Sequence, residues 1–185
     1  AVVRPEIGAT AVFAVRDWRH EFNVEAKNGQ LCAFTSSGEE LATWDGLSVR
    51  FWSTRTATER RSHPTEAVGD PTQLVLSSAH GVAVGTKSTV LFELGKQDMP
   101  IPLAGHGTAI KRAAFNPAGT LLATVSEGGN IRVRTTGNTL GAPEEVTGHT
   151  GLIHDIQFTQ DGNTLLAAGS DGIFVWLVIN PKRSK

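Results

Sequence analysis

The chain has 185 residues, 39% of them apolar and 19% charged, a make-up that suits a globular domain and excludes an intrinsically disordered one. Its 17 basic and 18 acidic side chains nearly cancel, so no overall field draws it to nucleic acid or to an anionic membrane, and such a partner would need a local patch. Cys32 is the only cysteine, which excludes an internal disulfide and a thiolate metal cluster and fits a reducing, cytoplasmic setting. No apolar run reaches the roughly 18 residues of a membrane helix, and the first residues do not read as a signal peptide.

Residues 1–8, with Pro5 and Gly8, read as a lead-in. Residues 10–15 are β-branched and apolar enough for a strand, which Arg16-Asp17-Trp18 ends. Residues 20–26 alternate as a half-buried strand does, with Phe22, Val24 and Ala26 on one side, before a turn at Asn28-Gly29. Asp45-Gly46 turns the chain into a strand over 48–52, and residues 53–71 read as a polar outer strand with long flanking loops. Leu74 and Leu76 precede an expected turn at His80-Gly81, followed by strands at 82–84 and 89–94. No helical periodicity of 10 residues or more interrupts these elements, so the sequence predicts an all-β fold.

The strongest pattern is a repeat. Gly105-His106 returns as Gly148-His149, the triplet Ile110, Ala113, Phe115 returns as Ile153, Ile156, Phe158, and Gly119 returns as Gly162, all at a shift of 43. The alignment then slips by one, so that Leu122-Ala123 meets Leu166-Ala167. A weaker copy places Phe34, Gly38 and Leu41-Ala42-Thr43 at the positions of Phe115, Gly119 and Leu122-Ala123-Thr124. A fourth copy is degenerate. At the end of each copy's first strand stand Phe34, Leu76, Phe115 and Phe158, in steps of 42, 39 and 43.

A period in the low forties that opens on Gly-His and closes on a β-rich run ending in Trp resembles the tryptophan-aspartate (WD) repeat β-propeller family. The resemblance implies about four blades of four-stranded antiparallel sheets, arranged as a partial ring. The expected division is 1–28 as a partial blade or closing strands, blades at 29–64, 65–99 (degenerate), 100–142 and 143–180, and a basic tail at 181–185. Because the last copy stops at its third strand, its fourth strand would come from residues 10–15, the family's usual closure. The other reading makes the chain the C-terminal part of a larger propeller. Phe115 and Phe158 are expected to pack between neighbouring blades.

The resemblance also gives His106 and His149 a structural role in a buried hydrogen-bond chain with a strand hydroxyl, a turn Asp and a strand-end Trp. The first copy supplies His106 and Thr124 but has Gly128 and Arg134 where Asp and Trp belong. The second supplies His149, Asp171 and Trp176 but has Ala168 at the hydroxyl position. Rim positions carried over from the family are Trp44, Ala109, Lys111, Glu127, Leu152, His154 and Ser170, with Trp44 as the expected anchor for another protein or peptide. The implied function is a non-catalytic protein-binding scaffold or sensor module, with a place as the C-terminal part of a larger signalling protein as the wider reading, and with self-association or a missing propeller part as further partners.

Enzymatic readings lack motifs. There is no G-x-S-x-G elbow, Ser77-Ser78 beside His80 reads as turn chemistry, and Gly128-Gly129 precedes no helix that could receive a phosphate. No catalytic residue, metal or cofactor is expected; an active site at the channel mouth would have only His154 and Asp155 to draw on. Arg50, Arg55, Arg60 and Arg61 near Trp44 and Trp52 make a thin case for nucleic acid, interrupted by Glu59.

Overall fold

The computed structural model describes residues 2–6, 9–13, 20–24, 31–65, 68–96, 98–137 and 139–178. The expected features at 14–19, 25–30 and 179–185 lie outside them. Two compact units divide the chain, Ala1–Pro102 and Leu103–Lys185. Every described element is a strand, and every strand pair is antiparallel.

In the first unit, β1 (Val2–Glu6), β2 (Ala9–Phe13) and β3 (His20–Val24) form a three-stranded sheet in sequence order. Two points of the sequence reading change here. Residues 2–6 are a strand rather than a lead-in, and β2 is paired on both edges. With both rows of backbone groups in use, β2 has no edge with which to complete another sheet. The second sheet is β4 (Leu31–Phe34), β5 (Glu40–Trp44), β6 (Ser48–Ser53) and β7 (Glu59–Pro64). The third is β8 (Pro71–Leu76), β9 (His80–Gly85), β10 (Thr89–Glu93) and β11 (Ile101–Pro102). His80-Gly81 is therefore inside β9, and the turn precedes it, where the Ser77 hydroxyl accepts from the backbone N–H groups of Ala79 and His80.

In the second unit, β12 (Ile110–Phe115), β13 (Leu121–Ser126), β14 (Ile131–Thr135) and β15 (Glu144–Val146) form one sheet. Strands β16 (Ile153–Phe158), β17 (Thr164–Gly169) and β18 (Gly172–Leu177) form the last, which has no fourth strand among the described residues.

Register explains the repeat. Phe34, Leu76, Phe115 and Phe158 each end a first strand, opposite Leu41, Gly81, Leu122 and Leu165. Leu165, not Leu166, thus matches Leu122, and the shift of 43 runs unbroken through the second strand. The lost residue lies in the following turn, since Val125 pairs with Ile131 while Ala168 pairs with Ile173. It follows that Ala167 stands at the hydroxyl position of Thr124, correcting the assignment to Ala168. Gly81 accounts for the degeneracy of the third sheet: a Cβ there would sit inside the Phe92 ring, so glycine replaces leucine to make room for an aromatic on the next strand.

Within each unit, successive sheets pack face to face, because side chains alternate between the two faces of each strand. Leu41 and Trp52 pack with Val12 and Val24, while Ala42, Trp44, Val49 and Phe51, on the opposite face, join Ala83, Val90 and Phe92. In the second unit Leu121, Ala123, Val125, Ile131 and Val133 meet Ile153, Ile156, Phe158, Leu165 and Ala167. Phe158 lies in that inter-sheet core, as the family pattern implies.

Candidate partner-binding rim

The apolar triplets are spaced three and then two, which strict alternation in a strand does not allow. The structure absorbs the extra residue in a bulge. Ile110 pairs with Ser126 and Arg112 with Val125, which leaves Lys111 unpaired; Ile153 pairs with Gly169 and Asp155 with Ala168, which leaves His154 unpaired. A bulge turns the extra side chain out of the ladder, and both Lys111 and His154 are exposed.

Each bulge faces the turn after the second strand of its own sheet. The Glu127 N–H donates to the Ala109 carbonyl at 2.8 Å, and the Ser170 N–H donates to the Leu152 carbonyl at 2.9 Å. In the first sheet the Lys111 ammonium lies 3.6 Å from the Glu127 carboxylate. In the last, the Ser170 hydroxyl accepts from the Leu152 N–H at 3.0 Å. The Asp171 carboxylate accepts from the Thr150 N–H and hydroxyl and from the Gly151 N–H, which holds its pKa below the usual aspartate value, the Thr150 N–H first. Any side chain at Gly151 would collide with that carboxylate. The first turn adjoins the loop that leads into the second bulge: His149 Nε2 donates to the Gly129 carbonyl at 2.8 Å, and a Cβ at Gly129 would lie 3.5 Å from the Leu152 Cα. Ala109, Lys111, Glu127, Leu152, His154 and Ser170 therefore share one rim of the second unit, with Leu152 as its large exposed apolar side chain, 55% accessible.

Trp44 does not belong with them. It is fully buried, and its Nε1–H donates to the Thr65 hydroxyl at 2.8 Å. A ring at that register position points into the next sheet, so its role is core packing and not rim anchoring.

The hydrogen-bond positions divide by copy. His106 Nε2 meets the Thr124 hydroxyl at 2.8 Å, and Thr124 donates onward to the Arg132 carbonyl at 3.3 Å. Arg134, in place of the tryptophan, donates to the Ala104 carbonyl at 2.7 Å, while Arg132 donates to the Gly105 carbonyl. These contacts tie the loop before β12 to β14, and the sequence reading missed them. Burial, and after it the Arg132 and Arg134 cations, lower the His106 pKa to about 4. In the last sheet Ala167 offers no hydroxyl, so Trp176 donates to the Thr147 carbonyl at 2.8 Å and stacks on Phe174. Sheet β4–β7 makes the direct version: the Trp52 Nε1–H donates to the Thr43 hydroxyl at 2.8 Å.

The basic set near Trp52 is largely neutralised. Arg61 grips Glu40 through two contacts of 2.7 Å and lies over the Phe51 ring, Arg50 lies 3.3 Å from Glu59, and Arg60 lies 3.7 Å from Glu40. Among the described residues no three His, Cys, Asp or Glu side chains are grouped as metal ligands, around His154 and Asp155 or elsewhere.

A family model for the WD domain, G-beta repeat, matches residues 100–134 and 143–176. Each match opens on the fourth strand of one sheet and runs through the first three strands of the next, β11 into β12–β14 and β15 into β16–β18. Residues 100–134 and 143–176 are WD repeats. The antiparallel sheets are consistent with a WD-type β-propeller of about four blades, and WD repeats as a class mediate protein interactions as scaffolds. No curated protein matched the chain. Among the described residues no helix is long and apolar enough to cross a membrane.

Proposed function

We propose that the chain is a non-catalytic, protein-binding scaffold or sensor module, and that the rim formed by Ala109, Lys111, Glu127, Leu152, His154 and Ser170 receives a segment of another protein or a peptide. The observation that carries this reading is the pair of matched bulges, which turn Lys111 and His154 out of their ladders beside exposed Leu152. An apolar anchor flanked by a cation, a carboxylate and an imidazole suits an extended segment with one large apolar residue and charges of both signs. On this reading residues 29–64, 65–99, 100–142 and 143–180 act as blades, 1–28 as a partial one and 181–185 as a basic tail. The lone half-buried Cys32 suits a reducing compartment such as the cytoplasm.

Selection of peptides from a displayed library against the full chain, followed by Leu152→Asp and Lys111→Glu, tests the reading. Binders should lose affinity by roughly thirtyfold, about 2 kcal/mol for a true anchor, with no change in melting temperature. Binders indifferent to both substitutions would refute it.

A further inference from the structure

The rim leaves the arginines of the first unit unused. In sheet β4–β7 the turn after β4 and the loop after β6 lie at one end, opposite the Asp45-Gly46 turn, because neighbouring strands run antiparallel. They are clamped together. The Thr54 N–H donates to the Glu39 carbonyl and the Thr54 hydroxyl to the Gly38 carbonyl, each at 3.0 Å. Beside this clamp lies a cavity of about 310 Å³, walled by Ser37, Glu39, Ser53, Arg55, Thr56 and Arg60, with no apolar side chain among its described lining residues. The Ser53 hydroxyl, on a residue only 1% accessible, accepts from the N–H groups of Arg55 and Thr56 at 3.3 and 3.2 Å and from the Arg60 guanidinium at 3.4 Å. Its own proton has no acceptor among the described residues. The loop also holds Ala57 at φ 56°, the one non-glycine residue described in the left-handed region.

The nearby carboxylates are already engaged. Glu40 holds Arg61 through two contacts of 2.7 Å and Glu59 lies 3.3 Å from Arg50, so Arg60 reaches Glu40 only at 3.7 Å, and Arg55 has no ion pair among the described residues. The corresponding loops carry no such free charge. Residues 136–141 use the same clamp, with the Thr136 hydroxyl donating to the Gly119 carbonyl, and contain no charged residue. After β10, Lys96 is paired with Glu93 at 2.8 Å. The clamp therefore does not need cations, and the fold does not account for Arg55 and Arg60.

We propose that this cavity binds a small phosphomonoester, a phosphate group carried on a polyol body. Arg55 and Arg60 present the planar donor forks that suit phosphate oxygens. Glu39 would repel a bare anion but accepts from hydroxyl groups, so it selects a ligand with donors at its other end, beside the hydroxyls of Ser37 and Thr56. A wholly polar wall gives an apolar peptide side chain nothing to pack against. The volume, at the low end for small-molecule sites, suits a phosphate on a body the size of a pentose.

NMR titration of the full chain at low ionic strength with ribose phosphate, inorganic phosphate, ribose and a phosphoserine peptide tests the proposal. Ribose phosphate should bind with a Kd of about 0.1–1 mM, as a ligand of this size does at ordinary efficiency, and inorganic phosphate about fivefold more weakly. Ribose alone should not bind. Arg55→Ala and Arg60→Ala should each lower the affinity roughly tenfold, with the melting temperature unchanged because both side chains are exposed. Glu39→Gln should weaken ribose phosphate yet strengthen inorganic phosphate, a reversal that a merely structural role would not produce. No binding of ribose phosphate up to about 10 mM, an affinity indifferent to both arginine substitutions, which marks an adventitious ion only, or tighter binding of the phosphoserine peptide than of ribose phosphate would each overturn the proposal. None of these residues belongs to the rim, so failure here leaves the rim reading standing.

Discussion

Sheets β12–β15 and β16–β18 share their register through the first two strands, yet the first secures its histidine on a threonine hydroxyl and the second on a carbonyl of the neighbouring turn. The difference follows from one position. Where Thr124 stands, His106 can be held within its own sheet; where Ala167 stands, His149 must reach across, and in doing so it links the two sheets. The strand-end residue changes with it, since Arg134 and Trp176 both donate to carbonyls of the loop leading into their sheet. A repeat can therefore conserve a mechanical task, fastening the entry loop to the third strand, while exchanging the atoms that perform it.

The contrast is broken most strongly at the matched pair Ile131 and Ile173. Ile131→Ala should destabilise the second unit by about 2–4 kcal/mol, a cavity in a closed core, while Ile173→Ala at an exposed site should cost less than about 0.5 kcal/mol, as read by urea unfolding. Equal losses would mean that Ile173 is covered in the unit as it exists in solution.

A smaller effect is expected at Thr124. Thr124→Val keeps the volume but leaves His106 Nε2 without its partner, which should cost about 1–3 kcal/mol in the same titration. A neutral result would mean that His106 is held by its packing and by the arginine-bound loop rather than by the hydroxyl.

The smallest and most selective change comes with acid. His106 binds a proton less readily in the folded chain, near pH 4, than an unfolded histidine does near pH 6.5. The neutral form therefore contributes stability that is present above about pH 6.5 and is lost as pH falls toward 4, because the unfolded chain then takes up the proton first. The melting temperature should drop over that window, and His106→Gln should flatten the drop. An unchanged slope in the variant would place the acid sensitivity at His63 or His80, whose pKa values burial also lowers.

Much of this was legible in the residues. The steps between Phe34, Leu76, Phe115 and Phe158 located the end of each first strand, and the three-then-two spacing of the apolar triplets held the bulges that project Lys111 and His154, although alternation alone does not say which residue is expelled. Other features were not. Trp44 and Trp176 are both tryptophans on strands of repeated sheets, but one lies within a sheet stack and the other beside an edge that has no fourth strand among the described residues. Burial depends on what faces the residue, and local sequence does not contain that.

The sequence by itself determined the periodic β pattern, the positions of most of the turns and which residue types recur at each register position, because strand alternation and glycine turns are local properties of the chain. Tertiary structure decided which of those positions are covered. Whether Thr124 receives a histidine, whether Trp44 reaches Thr65, and whether an aliphatic face such as that of Ile131 or Ile173 is core or surface all depend on the neighbouring sheet, and pairing across sheets is set by packing between segments far apart in the chain.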